Sequence, residues 1–302
     1  MIKRTLYFGN ACRLSKSLEQ LVVDMLDEAG NPACTTIPIE DIGVTIFDNW
    51  QISVTHGLLE SLLRNNTAVI TCDSSHMPIG MLMPLYGNTT QNERYRLQID
   101  ASAPLCKQLW QQTVIAKIKN QASLLQKKSV NIQNMLYWAS EVKSGDTENH
   151  EARAAAYYWS QLFPPEFNFR RERIGEPPNN LLNYGYAVLR AIIARSLVAS
   201  GLLPTLGIHH SNKYNAFCLA DDIMEPYRPY VDKIVLDIVM SEPDKIKDFD
   251  KEIKSKLLTI PVVDVTINGN KSPLMIAAQQ TTASLFQCFE GLIRKIAYPE
   301  FT

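Results

Sequence analysis

Hydrophobic and polar positions change their rhythm part-way along this chain. From residue 1 to about 90, short β-branched or aromatic runs alternate with turn residues, at 5–8, 20–25, 42–47 and 68–72, the pattern of strands in a small sheet. Between the last two, 55–65 places Leu58, Leu59, Leu62 and Leu63 at helical spacing, which predicts one helix laid against that sheet. Beyond Asn92 the period becomes helical, over about 93–126, 129–143, 150–163, 179–200 and 273–297. Proline and glycine punctuate this part at Pro164-Pro165, Pro177-Pro178, 201–204 and Pro226, where helices begin, end or turn. The expected class is α+β, with a small β-rich domain over 1–92 and a larger, all-α-helical domain over 93–302.

At 302 residues, 46% of them hydrophobic and 20% charged, the chain can bury a sizeable core. Thirty Lys and Arg against 31 Asp and Glu leave a formal net charge of −1, so a polyanionic partner would have to meet a local patch. Two stretches qualify. No acidic residue lies between Asp100 and Glu141, while Lys107, Lys117, Lys119, Lys127 and Lys128 fall there, and Arg170, Arg171 and Arg173 follow in a polar connection. Guanidinium and ammonium groups at such places bind phosphate, and a solvated basic face explains the same composition. The cysteines, Cys12, Cys34, Cys72, Cys106, Cys218 and Cys288, form no CxxC pair or zinc spacing and read as reduced thiols. With no apolar signal segment and no uninterrupted apolar run of membrane length, a cytoplasmic protein is expected.

Two motifs carry candidate chemistry. NHEARAAAYYW, 149–159, is an alanine-rich helix start with Glu151 in its first turn, where small side chains admit a neighbouring helix. GIHHSNKYNAFCLADDIMEPYRPYVD, 207–232, mixes ionisable and apolar residues. Asp222 and Glu225 are three apart, so on a helix both project from one face and can converge on a cation. His210 precedes them in a Gly/Ser/Asn-containing loop. Each feature alone has an ordinary explanation as helix propensity or surface polarity. Company with Phe217, Leu219, Ile223 and Met224 buries part of this face, where carboxylates need a partner or a metal.

These motifs, with LMP at 82–84, NYGY at 183–186 and the 268–274 segment, resemble the CRISPR-associated integrases, the first-numbered Cas protein. The resemblance is to the branch that accompanies a single large RNA-guided effector nuclease (type II systems). LADDIMEPYRPYVD is its most specific part. The resemblance implies a β domain that dimerises, a helical catalytic domain, and a metal held by Glu151, His210 and Glu225, where many relatives have Asp in place of Glu225. His209, Asp222 and Asn212 are implied in supporting roles, Asn212 also fitting a plain turn role. One imidazole and two carboxylates suit Mg²⁺ or Mn²⁺. The implied activity is metal-dependent integration of prespacer DNA into the CRISPR array. A 3′-hydroxyl attacks the leader-repeat phosphodiester, and water in its place gives endonuclease cleavage. Implied partners are a second copy, the small second-numbered Cas protein as a dimer between two dimers of this chain, double-stranded prespacer and repeat DNA, and possible contacts with the effector nuclease and a helper. A stand-alone nuclease on branched DNA and a non-catalytic DNA-binding assembly subunit are the competing readings.

Overall fold

In the computed structural model, which describes residues 3–27, 29–247 and 249–302, the chain divides into two compact units, Met1–Thr89 and Thr90–Thr302. The first carries strands β1 (Arg4–Phe8), β2 (Arg13–Ser17), β3 (Gln20–Leu26), β4 (Pro32–Pro38), β5 (Ile42–Phe47) and β6 (Ser53–Val54), helix α1 (His56–Arg64), and strands β7 (Ala68–Cys72) and β8 (Pro78–Leu82). They form two four-stranded sheets, β1-β5-β7-β8 and β4-β3-β2-β6, where the sequence pattern suggested one. β5 pairs in parallel with β1 and with β7, and such central parallel strands are covered on both faces. That is why its sequence, IGVTIF, lacks the alternation of a half-exposed strand, with Ile42, Val44, Thr45 and Ile46 all fully buried.

β2 and β4 escape the sequence pattern because RLSKS and PACTTIP carry little apolar alternation. The β2–β3 hairpin turns on Leu18 and Glu19, both at positive φ (46° and 57°). Two-residue hairpin loops of this twist favour Asn-Gly or Asp-Gly, so no turn signal marked it. Helix α1 is predicted within a residue at each end. Its Leu58 and Leu62 join Leu14, Leu21, Val23, Ile39, Ile42 and Val69 in one apolar cluster.

The second unit contains α2 (Gln91–Ile99), α3 (Ala103–Lys127), α4 (Gln133–Glu141), α5 (His150–Leu162), α6 (Asn179–Ala199), α7 (Cys218–Met224), α8 (Arg228–Ser241), α9 (Lys251–Leu257), β9 (Asp264–Ile267), β10 (Asn270–Pro273) and α10 (Leu274–Phe289). The stretch expected as one helix over 93–126 is two. Ser102 caps the second by accepting from Leu105 N, and Pro104 stands in its first turn. An all-helical second domain is corrected by β9 and β10, an antiparallel hairpin. Its turn is Asn268-Gly269 at φ 50° and 75°, with an alternating DVTI before it.

α3 and α6 are the spine of this unit. α6 is long and apolar enough by length and composition to cross a bilayer, but 83% of its apolar window is buried inside the unit, as befits a core helix. At Gly185 a side chain is excluded: an added Cβ would lie 2.5 Å from Val231 Cγ1, so the glycine of NYGY lets α8 approach α6 closely.

Candidate active site

α3 sets the site's geometry. Its buried stripe runs Leu109 and Trp110, Thr113 and Val114, Lys117 and Ile118, Gln121, then Leu124 and Leu125, so a lysine occupies a core position, 9% exposed. α5 packs against α3 through Ala154, which is fully buried. Asp146 holds the start of α5, its two carboxylate oxygens accepting His150 N (2.9 Å) and Glu151 N (3.0 Å). Glu151 therefore leaves the first turn of α5 toward α3, and its Oε1 accepts from Lys117 Nζ at 2.6 Å.

The LADDIMEPY run bends the chain at the same place. α7 ends at Met224, a 3-10 turn covers Glu225–Tyr227 around Pro226, and α8 begins at Arg228. Asn120, three residues beyond Lys117 on α3, fixes this turn by donating to Pro226 O (2.7 Å). The same amide donates to Pro299 O (2.9 Å) and accepts from Phe301 N (3.0 Å). Glu225, 5% exposed, splits its oxygens: Oε1 pairs with Arg228 Nη2 at 2.9 Å, and Oε2 lies 2.6 Å from Lys117 Nζ. The buried Oε2 has two lone pairs and one close cation, so it keeps acceptor capacity to spare. Burial pushes the Glu225 carboxyl up, yet the Arg228 and Lys117 charges outweigh it and hold the group below its ordinary range. Lys117 is the mirror case, depressed by burial but raised on balance by Glu225 and Glu151.

Asp222 does not share a cation with Glu225, as their spacing suggested. It is fully buried and turned to the preceding loop, where it accepts His209 N (2.9 Å), His210 N (3.3 Å) and the ring Nδ1 of His210 (2.5 Å). The backbone stays in the right-handed helical region at Met224, Glu225, Tyr227 and Arg228, and it is the side chains that part, Asp222 toward the loop and Glu225 toward Lys117 and Arg228. Because a carboxylate can only accept, Nδ1 of His210 carries the hydrogen and Nε2 is left for another ligand. That hydrogen bond raises the His210 pKa against the opposing effect of burial, and the charges of Glu225 and Glu151 add to it. His210 thus sits in the field of both glutamates. His209 instead stacks face to face on Trp110, with centroids 4.2 Å apart and planes 1° from parallel. Gly207 closes the loop: a Cβ there would stand 2.3 Å from His210 O and 2.8 Å from Asp222 Oδ2.

Asn212 serves its own turn, Oδ1 accepting Tyr214 N. Of the residues expected to meet phosphate, Lys119, Arg170 and Arg173 are exposed. Lys117 is not a surface contact, since its ammonium is buried between two glutamates. Arg171 is half-buried and bound to Asn179 Oδ1 (2.9 Å) and Asn183 Oδ1 (2.7 Å). Lys127 and Lys128 donate to the backbone carbonyls of Thr302 and of Gln161 and Leu162.

Arg228 was missed as a site residue, and Lys117 was expected as a phosphate contact, not as the partner of two glutamates. The signal for Lys117 was its place in the apolar stripe of α3. Arg228 follows Glu225 by three residues, the spacing of a helical ion pair. Beneath them Asp232, buried, accepts from Tyr158 OH (2.7 Å) and Tyr186 OH (2.5 Å), with Arg228 over the Tyr186 ring at 4.5 Å.

Among the described residues no three His, Cys, Asp or Glu side chains stand arranged to hold an ion. The two glutamates share the Lys117 ammonium instead. Two carboxylates, an imidazole with Nε2 uncommitted and a buried carboxylate oxygen with spare acceptor capacity are nevertheless a donor set that fits a hard divalent cation.

A strand-rich N-terminal unit followed by a helical unit is a fold shared with solved casposase and Cas1 structures. A casposase bound to integration product superposes with a TM-score of 0.76 at 20% identity, covering 98% of this chain and 92% of that one. A Cas1 protein from Thermotoga maritima gives 0.72 at 19% identity, covering 95% and 97%. The family model described as CRISPR associated protein Cas1 matches residues 6–266, and the chain belongs to that family. The CRISPR-associated endonuclease Cas1 of Neisseria meningitidis is 39% identical over 238 residues, 78% of this chain and 76% of the relative. One of the two Pyrobaculum aerophilum relatives of that name is 28% identical over 245 residues.

Proposed function

We propose that this chain is a metal-dependent DNA integrase and endonuclease of CRISPR adaptation in a type II system, with Glu151, His210 and Glu225 as ligands of one Mg²⁺ or Mn²⁺. The observation that carries the reading is that Glu151 and Glu225, far apart in sequence, meet around one positive charge while His210 lies in the field of both. When bound, the ion supplies positive charge at the phosphodiester and lowers the cost of its developing negative charge. The protein's residues do the rest. Asp222 fixes the orientation of His210, Arg228 holds one oxygen of Glu225, and Asp146 places the turn that carries Glu151. In integration the 3′-hydroxyl of a prespacer forms the new P–O bond at the leader-repeat junction and the 3′ oxygen of the cut strand leaves. With water as nucleophile the same exchange is cleavage.

Exposed Lys119, Arg170 and Arg173 are suited to contact phosphates of prespacer and repeat DNA. The strand-rich unit pairs two copies, which flank a dimer of the small second-numbered Cas protein, with the effector nuclease and a helper as further contacts in the cytoplasm. Support for these partners comes from relatives. A solved Cas6-RT-Cas1--Cas2 complex superposes with a TM-score of 0.74 at 18% identity, over 97% of this chain and 36% of that one, and a casposase holds its integration product. The test is incubation of purified protein with short duplex DNA, a supercoiled repeat-containing plasmid and Mn²⁺. Joined products that disappear in Glu151→Ala support the reading. Cleavage without joining points to a stand-alone nuclease, DNA binding alone to an assembly subunit, and normal joining by Glu151→Ala removes the ligand assignment.

A further inference from the structure

Lys117 is placed unlike an ordinary structural lysine. Its ammonium lies 2.6 Å from one oxygen of each glutamate, inside the helical unit, on a helix whose neighbouring positions are apolar core. A divalent ion bonds carboxylate oxygens at about 2.0–2.2 Å and asks for the same lone pairs. Ammonium and ion therefore compete for one space and for one pair of oxygens.

We propose that Lys117 and the divalent ion exchange places: in the ion-free protein the ammonium holds Glu151 and Glu225 at ligand spacing, and on loading it gives up both oxygens and turns to the substrate phosphate. This rests on the assignment of the two glutamates as metal ligands. Two observations argue for exchange rather than permanent pairing. Glu225 keeps Arg228 on its other oxygen and the backbone of Glu151 is anchored by Asp146, so both residues stay at the site when the lysine leaves. The lysine stem also has four rotatable carbons, so its head can swing while α3 stays fixed.

The consequence is that Lys117 weakens metal binding even as it prepares the site. Removing its charge should tighten Mn²⁺. The experiment is Mn²⁺ binding to the full chain, followed by electron paramagnetic resonance of the free ion, for wild type, Lys117→Gln, Lys117→Met and Glu151→Gln. The expected result is a dissociation constant at least about tenfold lower in both lysine variants, equivalent to about 1.4 kcal/mol. Equal or weaker binding by folded lysine variants overturns the exchange, because a lysine that merely positioned the carboxylates would be missed. If the wild type itself binds no Mn²⁺, or Glu151→Gln binds as well as wild type, the ligand assignment fails instead. Should the variants not fold, wild-type protein with ¹³Cε-labelled lysine decides the matter on addition of diamagnetic Mg²⁺. The Lys117 signal should move toward the positions of exposed lysines as the site fills, and a signal unchanged at saturation overturns the proposal.

Discussion

Replacing Asp222 by asparagine should both destabilise the helical unit and release His210. Asp222 is fully buried and accepts three N–H groups: His209 N at 2.9 Å, His210 N at 3.3 Å and His210 Nδ1 at 2.5 Å. Asparagine keeps one acceptor oxygen and puts an NH₂ group where the other was. Whichever way the amide faces, at least one of these N–H groups then meets a donor. A hydrogen bond to a charged group contributes about 1.5–3 kcal/mol, and a buried donor left unpaired costs about 1–3 kcal/mol. Since the His210 ring is half exposed and its share is screened, a loss of about 3 kcal/mol follows, most of it from the backbone donors. For a unit of this size that lowers Tm by about 6–12 °C. Scanning calorimetry reads the first effect. A histidine NMR titration reads the second, in which the His210 midpoint drops, because the Asp222 hydrogen bond is the largest influence raising it. A Tm within about 2 °C of wild type together with an unmoved midpoint would refute the role given to Asp222.

Glu225→Gln leaves Lys117 and Arg228 facing each other without their shared anion, and should cost about 3–5 kcal/mol in urea unfolding. Glu151→Gln should cost clearly less, since Glu151 is 21% exposed in its side chain and pairs with Lys117 alone; equal losses would contradict this ordering. Asp232 gives a pH signature. Burial pushes its pKa up to about 6, with the two tyrosine hydrogen bonds opposing, so the native state holds its proton more tightly than the unfolded chain. Its contribution to stability is therefore greatest below about pH 4 and declines as pH rises through about 6, by about 3 kcal/mol. Asp232→Asn removes that decline, and parallel stability-versus-pH curves for the two proteins would contradict the assignment. Gly207→Ala drives a methyl group into His210 O and Asp222 Oδ2 and should destabilise by about 2–3 kcal/mol while shifting the His210 NMR signals.

The sequence made the long helices and the buried central strands visible, because both bury a continuous apolar stripe or run. β5, β7 and α5 fall at or within a residue of their expected places. What it hid were elements held by pairing rather than by composition. The polar strands β2 and β4 are defined by their register with β3, and Leu18 and Glu19 make a turn without turn residues. The hairpin β9–β10 carries a legible signal in Asn268-Gly269, although its strands are only four residues each and sit among helices. At the site, motif and resemblance pointed to Glu151, His210, Glu225 and Asp222, which the fold brings together. The spacing of Asp222 and Glu225 did not reveal that Asp222 turns to the His209–His210 loop while Glu225 meets Lys117 and Arg228. The place of Lys117 in the stripe of α3 marked it as buried, but not which carboxylates it would meet, since partners across a core share no periodicity.

Charge accounting explains why a domain core tolerates this cluster. Glu151 and Glu225 are answered by Lys117 and Arg228, and Asp222 by three N–H donors, so the ion-free site is compensated without a metal. A site balanced in this way folds before it is loaded. Adding a divalent ion to a balanced site, with the lysine displaced but still nearby, leaves an excess of positive charge beside the place where a phosphodiester would sit. In a low-dielectric surrounding that excess attracts the phosphate more strongly than the same charge would in water. A glutamate at 225 suits this arrangement, since its two oxygens reach in different directions. Oε1 is taken by Arg228, while Oε2 faces the Lys117 ammonium.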